Sequence, residues 1–228
     1  MMIVTISRGL GSGGDAIAAT VAERLRLDLI DRERLQRAAQ SAGALAGAFE
    51  ELDYVGEATL VARVLKSLRT VPITTTEERE QMALSTPFTN PLAGIFAPVF
   101  PPASIAIDES VRVMKLVIRD LARRGNVLIV GQGAQVLLAN WPGTLHVRIV
   151  APLEYRIATV RARTGLSRAE ALRRVQTNDR ARAELLRRFY NAQWNDPHWY
   201  HVVINTERVP RTLAVETIVT MANRLGES

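Results

Sequence analysis

Apolar positions along the 228-residue chain fall into two kinds of run. Short β-branched or apolar runs occur at 3–6 (Ile3-Val4-Thr5-Ile6), 27–30, 127–130 (Val127-Leu128-Ile129-Val130), 145–150 and 201–205, and read as buried strands. Between them lie stretches with helical spacing. Ala16, Ile17, Ala18, Ala19, Val21, Ala22 and Leu25 form one such face, and Val111, Met114, Val117, Ile118, Leu121 and Ala122 form another within 108–124. A third helical stretch restarts at Ser167, with Glu170 three residues on as a capping box, and a last one covers about 210–225. Apolar strands alternating with helices predict an α/β fold: a five-stranded, mostly parallel sheet with helices on both faces, a three-layer sandwich.

One region departs from this alternation. Residues 35–70 read as helical, and 70–107 hold Pro72, Pro87, Pro91, Pro98, Pro101 and Pro102 with the apolar side chains Phe88, Ile95, Phe96, Val99 and Phe100. Long irregular segments in compact domains are functional covers or disordered, and aromatic side chains there also suit a surface for a second copy of the chain. The organisation expected is a single domain over 1–228, with a helical and proline-rich insertion at about 35–107 and a basic, lid-like region at about 156–190.

Composition narrows the chemistry. Without cysteine, disulfides, thiolate metal sites and cysteine nucleophiles are excluded, and His146, His198 and His201 lack metal-ligand spacing. The chain starts on a core strand with no leader pattern, and no apolar run approaches the roughly 20 residues that span a bilayer, so a cytoplasmic location is expected. Net charge is +6, and the excess is arginine rather than lysine. Arginine suits bidentate phosphate contacts, which points to a nucleotide or a nucleic acid as partner. Phe189, Tyr190, Trp194 and Trp199 among the arginines would serve single-stranded nucleic acid, but their helical context places them in the core, so nucleic acid is not the expected partner.

The candidate chemistry concentrates at the N-terminus. The first strand breaks into Ser7-Arg8-Gly9-Leu10-Gly11-Ser12-Gly13-Gly14-Asp15 and then a helix. Strand, glycine-rich turn and helix build an anion site, because glycines let amides approach closely and the helix start offers unpaired N–H groups. Gly9, Gly11 and Gly14 fit a dinucleotide G-x-G-x-x-G, with Asp31 at about the 20-residue offset of a ribose-binding acid. The P-loop pattern G-x-x-x-x-G-K-[ST] is the other candidate, and neither register of it finds a lysine: Gly14 or Asp15 stands there. Asp31 suits either a ligand at a strand end or the cap of the next helix.

Taken together, Ile3 to Gly14, Leu29-Ile30-Asp31-Arg32-Glu33, Val127 to Ala134, Val147 to Glu154 with Arg156, Asn178-Asp179-Arg180 and Trp194-Asn195-Asp196-Pro197 resemble the cytidylate kinase-like family of P-loop nucleoside monophosphate kinase relatives. The resemblance covers nearly the whole chain except 70–107. It implies a P-loop NTPase fold and transfer of the ATP γ-phosphoryl group to CMP or dCMP, with Mg2+. By position, Ser7, Gly9, Gly11, Ser12, Gly13, Gly14 and Asp15 would hold the donor phosphates, and Asp31, Gly131 and Gln132 would face the acceptor. Arg161, Arg163, Arg180 and Arg182 would come from the lid, and Ser12 would offer magnesium a hydroxyl. Arg8 is the nearest cation to take over the role of the missing lysine. The departures, no P-loop lysine and Gln132 where relatives carry arginine, leave open a second reading: a nucleotide-binding regulator with weak or no turnover. A hydride-transferring Rossmann enzyme is the third, and the arginine density at 156–188 argues against it.

Overall fold

The computed structural model describes residues 1–35, 66–67, 70 and 106–226. The expected insertion at 35–107, and the dimer surface read into 70–107, lie almost wholly outside the described residues. The described elements run β1 (Ile3–Arg8), α1 (Gly14–Leu25), β2 (Asp28–Ile30), α2 (Ala106–Arg124), β3 (Val127–Val130), α3 (Ala134–Leu137), β4 (Thr144–Val150), α4 (Leu153–Thr164), α5 (Arg168–Tyr190), β5 (Val202–Asn205) and α6 (Arg211–Gly226). All five predicted strands are present, each within two residues of its expected bounds.

The strands form one parallel sheet in the order β2-β3-β1-β4-β5. β1 lies at its centre, paired to β3 from Ile3 with Val127 and to β4 from Ile3 with Thr144. The α/β sandwich of the expectation is therefore observed. In such sheets ligands bind beyond the carboxyl ends of the strands, which places β1 and its glycine loop at the middle of the binding edge.

The two faces of the sheet differ in chemistry. Val4, Ile6, Leu128, Val130, Leu145, Val147 and Ile149 pack with α1 and α6 side chains such as Ile17, Val21, Val215 and Ile218 into the main apolar core. The alternate residues of β1 and β4 face the other way and include Thr5, Ser7, His146 and Arg148, all at least nine-tenths buried. Buried polar groups need partners, and these have them. Thr5 Oγ1 meets His146 Nδ1 at 2.7 Å, and the indole N–H of Trp194 donates to Ser7 Oγ at 2.9 Å. Arg148 donates to the Trp194 carbonyl, to Asn195 Oδ1 and to Tyr200 at 3.1 Å, and lies 4.4 Å from the Trp194 ring centre. This polar face carries the segment at 192–200 across the ends of β1 and β4.

Among the described residues no helix is long and apolar enough to cross a membrane.

Candidate active site

The glycine loop is a closed, bonded structure. Ser12 is fully buried, its Oγ donating to the Gly9 carbonyl at 2.8 Å, while the Ser12 carbonyl accepts from Thr206 Oγ1 at 2.8 Å. Gly11 sits at φ 78°, and a Cβ built on it would lie 2.5 Å from the Arg156 carbonyl oxygen, so glycine is required there. α1 then starts at Gly14 with no side-chain cap. Its first amides point out of the helix with no earlier carbonyl to accept them, an arrangement suited to phosphate oxygens.

A cleft opens beside this loop at the carboxyl ends of β1 and β3. Ser7, Arg8, Leu10, Asp15, Gly131 and Gln132 line it, all but Leu10 being candidates named from the sequence. Of the expected lid arginines Arg182, from α5, lines it too, and the structure adds Arg32 and Glu33 from the helical turn after β2, Gln135 from α3, Asn178 from α5, and Trp194. Arg8 Nε is bonded to Asp15 Oδ1 at 2.8 Å. Burial opposes the Arg8 charge, but Asp15, Glu33 and Asp31 together hold it more firmly protonated than an ordinary arginine. Glu33 is pushed above the usual carboxylate range by burial and by Asp31, against the pull of Arg8.

Arg182 is the contrasting cation. Its Nη1 is shielded from solvent and has no hydrogen-bond partner, and the guanidinium centre lies 5.9 Å from the Trp194 ring. Burial and the neighbouring Arg8 push it down to about 9. Arginine stays protonated in proteins, so this marks a charge that Asp15 and Asp179 only partly compensate rather than a neutral side chain. Arg32 is shifted in the same direction by burial.

A second cleft lies on the other side of Trp194, lined by Gly9, Arg148, Arg156, Asp179, Arg180 and Asn195 among others. Arg156 lies over Gly9 and grips Asp179 with two bonds of 3.0 and 2.8 Å, joining α4 to α5 across the loop.

The remaining expected residues are placed as follows. Arg180 is exposed and lines the second cleft, whereas Arg161 and Arg163 are exposed in the last turn of α4 and line neither. Asp31 is buried and caps the next helix, its Oδ1 accepting from the Arg34 amide at 2.8 Å; it does not line the cleft, while Glu33 two residues on does. Gly131, Gln132 and Gly133 all have positive φ, and the Gln132 carbonyl is held by the Tyr190 hydroxyl at 2.7 Å. Neither lysine of the chain replaces the missing one: Lys66 is exposed and Lys115 donates to the Phe189 carbonyl. For magnesium, the Ser12 hydroxyl is turned inward to Gly9, and no group of three His, Asp or Glu side chains among the described residues is arranged to hold an ion. The described residues do not form a metal cage.

Residues missed in the sequence carried faint signals. Asn178 lies one helical turn before the expected Arg182, with Leu185 at i+7 on the same face of α5, and Arg32-Glu33 directly follows a strand end.

The model of the cytidylate kinase-like family matches residues 3–208. A curated relative, the uronate isomerase of Corynebacterium glutamicum, is 35% identical over 104 residues, 45% of this chain and 20% of that protein. The match thus spans only a fifth of that relative's length. Among solved structures, an uncharacterized protein from Eubacterium ventriosum superposes with a TM-score of 0.60 at 16% identity, covering 98% of this chain and 99% of that one. That likeness concerns the fold alone. The shikimate kinase of Acinetobacter baumannii, solved in complex with shikimate, gives a TM-score of 0.44 at 14% identity over 98% of this chain and 94% of that one, too distant to support an argument.

Proposed function

The chain belongs to the cytidylate kinase-like family, and from that premise we propose that it is an ATP-dependent phosphotransferase acting on a nucleoside monophosphate, CMP or dCMP. The observation that carries this reading is Arg182, a shielded guanidinium with an unpartnered N–H at the wall of a cleft that also holds Arg8 and the start of α1. A buried cation without a partner is costly, and an anionic ligand is the partner that fits.

Phosphoryl transfer asks for positioning and charge neutralisation more than for covalent chemistry. The loop at 9–14 and the first amides of α1 would hold the donor phosphates. Arg182 and Arg8 would flank the transferred group, with Asp15 fixing the Arg8 side chain in place of a flexible lysine. Arg156 and Arg180 border the same loop from the second cleft and would reach donor oxygens. Trp194 and the helix pair α4–α5 would keep water from the transferred group.

The test is ATP consumption, with magnesium, against a panel of nucleoside monophosphates, with direct detection of the diphosphate. CDP or dCDP as the main product supports the reading. The ion pair between Arg8 and Asp15 favours one rival, a regulator that binds nucleotide without turnover, since it occupies the cation nearest the loop. Tight nucleotide binding with no diphosphate from any acceptor would establish that rival.

A further inference from the structure

We propose that the cleft also transfers the phosphoryl group to a hydroxyl of a small hydroxylated carboxylate, with Glu33 accepting the hydroxyl proton; this rests on the phosphotransfer reading and widens its acceptor side.

The argument starts from a mismatch. A nucleoside monophosphate attacks through an oxygen that is already anionic. It needs no base, and a carboxylate beside it is repulsive. Yet Glu33 lines this cleft at only 9% exposure. Among the described residues it forms no ion pair, and its hydrogen bond is to its own backbone. The charged groups facing it are Arg8 from β1, Asp15 from α1, and Asp31 and Arg32 from its own turn; Arg8 is already committed to Asp15, and Arg32 acts on Glu33 through its field without an ion pair. A buried carboxylate with no ion pair of its own is what an alcohol acceptor requires, because the alcohol must lose its proton as it attacks.

The rest of the wall fits the same class of acceptor. Gln132, Gln135 and Asn178 are uncharged groups that both donate and accept, as hydroxyl recognition demands. The Asn178 side chain is buried, lines the cleft and makes no hydrogen bond among the described residues. One turn further along α5, the unpartnered Arg182 N–H offers a contact for a carboxylate. Hydroxyl and carboxylate ends of one small molecule would thus meet Glu33 and Arg182.

In the step itself, Glu33 takes the hydroxyl proton and the alcohol oxygen forms a bond to the γ-phosphorus of ATP. The bond from that phosphorus to the β–γ bridging oxygen breaks, and ADP leaves with the electron pair. The products are a phosphate ester, ADP and protonated Glu33, which returns its proton to water.

The experiment incubates the full chain with MgATP and D-glycerate, D-gluconate or quinate, with CMP and glycerol in parallel, reading ADP release and the phosphorus NMR signal of the ester. The expected result is an ester from at least one of the three acids and little from glycerol. Its kcat/KM should fall at acid pH with a midpoint above the ordinary carboxylate value. Glu33→Gln should slow ester formation about 100-fold and remove that acid limb, with a melting curve close to the parent. Should the variant fail to fold, the acid limb of the unaltered protein still decides. CDP from CMP with no ester from any acid overturns this proposal and leaves the kinase reading standing. No product from any acceptor overturns both. Glycerol turnover equal to that of the acids removes the carboxylate contact, and ester formation unaffected by Glu33→Gln removes the base.

Discussion

Two arginines in one cleft illustrate how residues of the same type divide between structure and chemistry. Arg8 is partnered: its Nε is bonded to Asp15, and Glu33 and Asp31 add to its field. Arg182 has an N–H with no partner and a charge opposed by burial and by Arg8. Their removal should therefore act in opposite directions on stability. Arg8→Met removes the ion pair to Asp15 beneath the loop and should cost about 2 kcal/mol. Arg182→Met replaces a charge that Asp15 and Asp179 only partly compensate by an apolar side chain of similar reach and should leave the fold at least as stable. Both should lower turnover, Arg182→Met by about 10²–10³ on the scale of a lost transition-state donor. Urea unfolding of the two variants, alongside kcat with CMP, checks this; a destabilised Arg182→Met would mean that its charge is compensated in the native state. Little of this division was legible in the sequence. Arg161, Arg163, Arg180 and Arg182 carry the same signal there, and only the facing of α5 toward the cleft turns Arg182 inward while the end of α4 leaves Arg161 and Arg163 exposed.

At the scale of elements, strand and helix periods were readable because burial imposes them. The alternation in β1 and β4 carries both an apolar face against α1 and α6 and a polar face with Thr5, Ser7, His146 and Arg148. The glycine loop was readable as a phosphate turn, but its glycines serve different ends, which spacing does not reveal. Gly11 is fixed by the Arg156 carbonyl oxygen 2.5 Å from where its Cβ would stand, at φ 78°. Gly13 has a similar φ of 74° with open space around that position. Gly13→Ala should therefore cost only the left-handed backbone penalty, about 1 kcal/mol. Gly11→Ala adds a clash with backbone, which has no rotamer to escape into, and should cost about 3 kcal/mol or more. It should also loosen α4 from the loop and so weaken nucleotide binding, which Gly13→Ala should disturb less. Thermal melts of the two variants with and without ATP separate these effects; equal destabilisation would show that α4 yields to the added methyl group.

For the molecule as a whole, the polar face of the sheet sets a pH limit on stability. His146 and His201 are 55 residues apart in sequence and looked unrelated by spacing. The parallel pairing of β4 with β5 stacks their rings with centroids 5.1 Å apart, the His201 ring accepting from the His146 amide at 2.9 Å. His146 is 3% exposed, with one ring nitrogen facing Thr5 Oγ1 and the other the Leu138 carbonyl. Burial, and then the proximity of His201, lower it from 6.5 to about 4. The unfolded chain binds this proton more readily than the folded one between those two values. The contribution of neutral His146 is therefore complete above about pH 6.5 and is lost progressively as pH falls toward 4. At pH 5 the loss should be about 2 kcal/mol, and about 3 kcal/mol once pH lies below both values. His146→Gln keeps a hydrogen-bonding side chain without the titration. It should be less stable than the parent at pH 7.5, because packing against Thr5 and His201 is imperfect, yet should lose less stability on going to pH 5. Urea unfolding of both proteins at pH 7.5 and 5 reads this directly, as the difference between their two stability drops. Equal drops would place the acid-sensitive group elsewhere and remove His146 from the account of acid unfolding.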